Sequence, residues 1–336
     1  MKSDRILLDH GSGGKAFHQL ILKTLLPVFN NPILDNLDDG AVLDIGTSRL
    51  AFSTDTFVVD PIFFPGGSIG ELAVNGTVND IAMCGATPVY LSAGLIIEEG
   101  FSLEDLKKIL IAMQRAAQTA GVQIVTGDTK VVPKGAADKI YINTSGIGIV
   151  PEGVCISGKN ARPGDKVLIS GSIAEHGMTI LSHREGLTFD SQLVSDSAAL
   201  NHMVNRMLAV SKNIHVLRDP TRGGVGTTLN EIALQSKAGI QIHESLIPIK
   251  PDVAGICELL GFDPLYVANE GKLIAIVAEK DAEKVLAAAK ETELGKDACF
   301  IGEVLEQNPG QVFMTTAIGG TRLVDMLAGE QLPRIC

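Results

Sequence analysis

The sequence predicts an α+β protein made of two consecutive domains, and three observations carry that expectation. The chain has 336 residues, more than one core usually organises. Short strand-like runs alternate with amphipathic helical runs, too irregularly for an eightfold barrel. A turn-rich passage, from Pro151 through Gly158-Lys159-Asn160 to Arg162-Pro163-Gly164-Asp165, breaks the alternation near the middle. The expected division is 1–155, 156–328, and a mobile tail over 329–336.

In the first half, Ala41 to Leu43 and Leu50 to Ser53 read as strands and Ile69 to Met83 as a helix. Ser102 with Asp105 makes a capping-box start for a helix whose Leu103, Leu106, Leu110, Met113 and Ala117 share a face, and Gly121 ends it. Val122 to Thr126 then reads as a buried strand, and Lys139 to Val150 as another. The second half predicts strands at Val167–Ser170, Ile240–Ile242, Leu273–Ala278 and Phe300–Val304. Its helices are expected at His176–Arg184, Ser197–Ala209, Gly226–Ser236, Val253–Leu260 and Ala282–Lys290.

Composition narrows the function. With 45% hydrophobic and 20% charged residues the chain can bury a core, which excludes wholesale disorder. The net charge of -11, with no basic run, argues against duplex nucleic acid and anionic membrane as partners. Mean hydropathy is +0.24, yet apolar runs break well before the ~18 residues of a bilayer span. The start, Met1-Lys2-Ser3-Asp4-Arg5, leads into too short an apolar run for a secretory signal, so a cytoplasmic protein is expected. Five cysteines without a CxxC pair predict neither a disulfide framework nor structural zinc. Cys84, Cys155, Cys257 and Cys299 read as buried and inert, whereas Cys336 is the last residue.

Two glycine-rich segments are candidate anion cradles. His10 precedes Gly11, Ser12, Gly13, Gly14 and Lys15, which run into an apolar-periodic segment and can offer backbone N–H groups plus one cation, or form a flexible loop. Arg218-Asp219-Pro220-Thr221-Arg222-Gly223-Gly224 leads into a helix with two arginines at its start; a surface turn is the alternative. Asp38, Asp39, Asp55, Asp80 and Asp128 each sit at an element end, where side chains from separate elements can converge. Clustered carboxylates repel unless a cation lies between them, and Mg2+ takes oxygen ligands while leaving room for phosphates. Singly, each is as readily a cap or turn residue. Thr126-Gly127-Asp128-Thr129-Lys130, a strand end carrying an acid and a cation, suits a phosphoryl-transfer centre holding ATP and Mg2+. Glu270, in Asn269-Glu270-Gly271-Lys272, precedes an apolar strand, and His176 is a candidate anion contact. The ending Pro333-Arg334-Ile335-Cys336 places an exposed thiol on a mobile arm, which reads as a carrier of covalent cargo.

These segments together resemble the HypE family, the carbamoyl dehydratases of [NiFe]-hydrogenase maturation. That family lies within the ATP-binding superfamily of aminoimidazole ribonucleotide synthetase, selenophosphate synthetase and thiamine-monophosphate kinase. The resemblance runs end to end, through Ser53-Thr54-Asp55, Phe63-Phe64-Pro65-Gly66-Gly67, Asn79-Asp80 and the terminal Pro-Arg-Ile-Cys. It implies an aminoimidazole-ribonucleotide-synthetase-like fold whose N-terminal sheets pair into a barrel across a homodimer, with nucleotide near the interface. It implies that a carbamoyltransferase loads Cys336 and that ATP activates the carbamoyl oxygen. Dehydration then leaves a thiocyanate, whose cyanide passes to an iron-carrying scaffold complex. Lys130 and Glu270 would flank the folded-in thiocarboxamide. The alternatives are a small-molecule kinase or synthetase of the superfamily, and a non-catalytic nucleotide-gated thiol carrier.

Overall fold

A computed structural model describes residues 5–29, 31–187, 193–329 and 332–336. Met1–Asp4, from the expected leaderless start, and Glu330 and Gln331, from the expected tail, lie outside the described residues. The chain opens with α1 (Lys15–Leu20) and α2 (Leu26–Phe29), then the hairpin of β1 (Ala41–Ile45) and β2 (Ser48–Phe57). A small ribbon of β3 (Phe63–Phe64) and β4 (Gly67–Ser68) leads into α3 (Ile69–Met83). Next come β5 (Thr87–Glu98), α4 (Leu103–Ala120), β6 (Gln123–Val132) and β7 (Ile140–Ile149). The strands form a five-stranded sheet in the order β1-β2-β7-β5-β6. Ser102 Oγ accepts from the Asp105 N–H at 3.3 Å, and Gly121, at φ 73°, ends α4 in the left-handed conformation that glycine tolerates.

The second half supplies β8 (Lys166–Ile169), α5 (Glu175–Arg184), α6 (Asn201–Val210), β9 (Ile214–Arg218), α7 (Gly224–Ser236), β10 (Gly239–His243) and α8 (Pro251–Leu260). It continues through β11 (Ile274–Val277), α9 (Glu279–Lys290), β12 (Cys299–Leu305), β13 (Val312–Thr315) and β14 (Thr321–Val324). Its seven-stranded sheet runs β14-β13-β10-β12-β8-β11-β9. Because β11 alternates in a covered sheet, Ile274 and Ile276 enter one apolar core and Ala275 and Val277 the other. The latter core also takes in α3, α4, α6 and α9, so apolar packing runs continuously between the two halves. Asn79 stitches them further: its Nδ2 donates to Ala198 O at 3.0 Å and its Oδ1 accepts from Leu200 N at 2.8 Å.

Several expectations are corrected here. The strand expected as buried from Val122 is β6, at the edge of its sheet, with Gln123 to Val131 exposed. An apolar run measures affinity for a covered surface, and nothing in one chain covers this one. Accordingly, the first sheet is open within the chain, with no barrel closure among the described residues. Cys155 is exposed and Cys299 intermediate rather than buried, because Cys155 lies in the irregular segment after β7 and Cys299 at the first position of β12. Cys336, expected to be exposed on a mobile arm, is buried. Among the described residues, no helix is long and apolar enough to cross a membrane.

Candidate functional site

Six elements bring acids to one cleft. Asp39 comes from the turn before β1, Asp55 from β2, Asp80 from the last turn of α3, Asp219 from the turn after β9, Glu231 from α7, and Glu270 from the loop before β11. With Arg218, Arg222 and Cys336 they line a cleft of about 280 Å³. Six carboxylates thus face two guanidiniums. Burial pushes the carboxyls of Asp39, Asp80 and Glu270 well above the usual range, and Asp55 and Asp219 add to the rise at Glu270 and Asp80. Burial likewise raises Asp55, against Arg222, and lifts Asp219 to about 6 against Arg218. Asp39 Oδ2 and Glu270 Oε1 are buried without a hydrogen-bond partner.

The two glycine-rich segments are two sides of one structure. Arg222 Nη1 donates to Gly11 O at 3.2 Å, and Gly11, Ser12 and Gly13 line the cleft or its adjoining mouth beside Arg222. Gly13 has φ 77°, and a Cβ there would stand 2.8 Å from Arg222 O, so the contact requires glycine. Gly14 packs as closely on Leu327 O. Lys15 points elsewhere, pairing with Asp325 at the surface. Arg218 is occupied by protein groups: Nε lies 2.9 Å from Asp39, Nη2 donates to Glu231 at 2.7 Å and Nη1 to Leu37 O at 3.1 Å. It offsets acid charge, whereas Arg222 faces the open cleft. α7 begins at Gly224, which takes φ 62° against Leu265 O, and lends Thr228 and Glu231 to the cleft lining.

Three expected residues stand apart. Asp38 is a cap, accepting from Gly158 N at 2.9 Å and from Ser157 Oγ at 2.8 Å. Asp128 and Lys130 form an exposed pair on β6, with Lys130 Nζ donating at 2.8 and 2.6 Å. Register links Asp55 to Thr144, Thr144 to Ala93 and Ala93 to Gly127, so three strand spacings, about 14 Å, separate Asp128 from Asp55. Among the described residues, no three His, Cys, Asp or Glu side chains gather closely enough to hold a metal ion by themselves.

Glu270 is held by residues that sequence reasoning passed over. Asn269 is fully buried; its Oδ1 accepts from Ala174 N at 2.7 Å and its Nδ2 donates to Pro220 O at 2.9 Å. Asp196 Oδ1 accepts from Glu270 N at 3.1 Å and its other oxygen pairs with Lys272 at 3.1 Å. Asn269 lies beside Glu270 in sequence and was findable; Asp196, in irregular chain, carries no sequence signal.

The tail is seated rather than free. Val58 N donates to Cys336 O at 2.9 Å and Asp60 N to Arg334 O at 3.2 Å, so the last residues extend along the chain that leaves β2. Burial pushes the Cys336 thiol up to about 12, with Arg222 opposing. The Arg334 guanidinium is engaged elsewhere, donating to Val58 O at 2.8 Å and pairing with Asp138.

The architecture has known counterparts. The family profile "AIR synthase related protein, N-terminal domain" matches residues 37–150, and "AIR synthase related protein, C-terminal domain" matches residues 162–315. A Cupriavidus necator protein named carbamoyl dehydratase HypE is 54% identical over 337 residues, spanning 100% of this chain and 96% of its own. A solved structure of HypE in complex with ATP shares 54% identity at a TM-score of 0.84, covering 99% of this chain and 100% of that one. A solved HypE-HypF complex shares 49% identity at a TM-score of 0.88, covering 92% of this chain and 99% of that one.

Proposed function

The chain belongs to the HypE family of carbamoyl dehydratases, and on that premise we propose how its cleft works. It is an ATP-dependent dehydratase of hydrogenase maturation that converts an S-carbamoyl group on its own Cys336 to a thiocyanate. An amide oxygen is a poor leaving group and phosphate a good one. ATP therefore gives up its γ-phosphoryl group to the carbamoyl oxygen, that oxygen departs in phosphate, and two protons leave the nitrogen.

The single observation carrying this assignment is that Cys336 shares one cleft with Asp55, Asp219, Arg222 and Glu270. Gly11, Ser12, Gly13 and Gly14, with Arg222 and the amino end of α7, bind the phosphates. Asp219 lines the same floor, Arg218 compensates its charge, and Lys15 holds the loop from outside. The unpartnered acid oxygens and raised carboxyls suit Mg2+, which Asp55, Asp80 and Asp39 would hold together with phosphate oxygens. Bound there, Mg2+ offsets charge on the transferring phosphoryl group. Glu270, made more basic by burial, takes the protons from nitrogen.

Asp128 and Lys130 enter from a second copy of the chain. Support comes from the open edge at β6 and from the exposed cross-strand row Phe52, Ile147 and Tyr90, an apolar surface suited to closing a barrel across a homodimer. The N-terminal part, 1–155, then carries nucleotide and dimer contacts, 156–328 completes the cleft, and 329–336 delivers the thiol. A carbamoyltransferase loads Cys336, in keeping with the solved HypE-HypF complex, and an iron-carrying maturation scaffold accepts the cyanide. Glu270→Gln tests the assignment: the variant should bind ATP with unchanged affinity and form no thiocyanate. Undiminished turnover would overturn it.

A further inference from the structure

The docked tail is gripped by one helix that takes no part in the chemistry above. His176, on α5, is fully buried, and its Nε2 lies 2.8 Å from Ile335 O. That carbonyl can only accept, so Nε2 carries the proton; Nδ1 is then left to accept from Ser195 Oγ at 2.7 Å. Two turns along the same face, Arg184 spreads its guanidinium over three carbonyls, each at 2.7 Å: Nε to Asp60 O, Nη1 to Pro333 O and Nη2 to Arg334 O. Carbonyls from four consecutive tail residues are thereby engaged, the fourth being Cys336 O on Val58 N.

We propose that His176 and Arg184 are positioning residues forming a latch that holds the carbamoyl-bearing tail in the cleft during dehydration and sets how readily it leaves for loading. The inference rests on Cys336 as the reacting group. Every tail contact they make is to backbone, so the latch reads the path of the chain rather than its side chains, and it is indifferent to what the sulfur carries. Thiol, thiocarboxamide and thiocyanate forms are all gripped alike. Phe64 packs edge-on against His176, with ring centroids 5.7 Å apart, and Ser195 N donates to Pro65 O. The imidazole is thus fixed by the β3–β4 ribbon and cannot follow the tail outward. Because Arg184 also holds Asp60 O, the latch stays preformed on the stationary side when the tail departs.

The test separates arm position from chemistry. In the full-length homodimer, alkylation of Cys336 by iodoacetamide, read by peptide mass spectrometry, should be at least tenfold faster in Arg184→Ala and His176→Ala. His176→Gln, which keeps an N–H donor, should restore part of the protection. ATP affinity and the rate of carbamoyl loading should be unchanged or, for loading, faster, while single-turnover dehydration of preloaded protein should fall at least tenfold. Arg184, only half-buried, provides a folded variant even where the buried His176→Ala does not accumulate. Unchanged alkylation in Arg184→Ala and in His176→Gln or His176→Ala would overturn the latch, as would slowed dehydration without faster alkylation. A wild-type tail that is protected but never loses water when loaded would refute Cys336 as the reacting group while leaving the latch supported.

Discussion

Strands β6 and β11 look alike on paper, each expected from a short apolar run, and they meet opposite fates. All four residues of β11 are buried, between β8 and β9 and with a core on either face. In β6, Val125 is 56% and Val131 68% exposed, on an unpaired edge. The difference teaches that an apolar strand reports a need for cover, which the chain itself supplies for β11 and which, in the proposed reading, a second copy supplies for β6. The chemistry divides along the same line. The acids of the cleft are assembled within one chain, while Asp128 and Lys130 ride on the open edge of β6.

The largest effect expected is catalytic and asks whether that division is real. Lys130→Ala and Glu270→Gln should each lower thiocyanate formation by ~100-fold or more. When the two inactive variants are mixed and allowed to exchange subunits, one of the two sites in each heterodimer regains both groups if Lys130 acts across the interface. Recovered activity supports the division, and none would place Lys130 and Glu270 in the same chain's site. Next, Val125→Asp at the edge should convert dimer to monomer in sedimentation velocity, and a persistent dimer would move the interface away from β6. In stability terms, Ile276→Ala on β11 should cost ~2–5 kcal/mol in urea unfolding, against about 0.5 kcal/mol or less for Val125→Ala in the dissociated chain. Equal losses would erase the contrast.

The smallest effect concerns the charge stored in the cleft. Burial lifts Asp219 to about 6 from its ordinary 3.8, so the folded chain holds a proton that the unfolded chain releases between these values. Its ionisation therefore costs nothing below about pH 4, and the cost grows as pH rises and is complete above about 6. Asp219→Asn should raise Tm by ~5 °C at pH 7.5 and hardly at all at pH 4, while weakening Mg-ATP binding. A variant less stable at pH 7.5 would show that Arg218 already neutralises this carboxyl.

Local chemistry made some elements legible and long-range pairing hid others. α4 could be read to the residue because Ser102 and Gly121 cap it through their own neighbours, and α3 because a long apolar helical run has one way to continue. β5, at the heart of the first sheet, escaped: Pro88, Ser92 and Gly94 interrupt its apolar pattern, and its stability comes from β7 and β6 on either side. β9, β13 and β14 escaped for the same reason, each being short and defined by partners distant in sequence. Among site residues, the acid set was visible because carboxylates at element ends are unusual in number. That they could converge was expected, but which of them do was not legible, and neither was the sorting of Asp38 into a cap and Arg218 into an internal counter-charge. The seated tail was legible only as a need: a thiol at the chain end had to go somewhere, but the carbonyl grip of His176 and Arg184 depends on α5, far upstream.

The most direct measurement is the intact mass of carbamoyl-loaded protein before and after ATP and Mg2+. The account predicts loss of one water, on the peptide ending in Cys336, in wild type, and none in Glu270→Gln despite bound ATP. A loaded tail whose mass stays constant while ATP is consumed would contradict it.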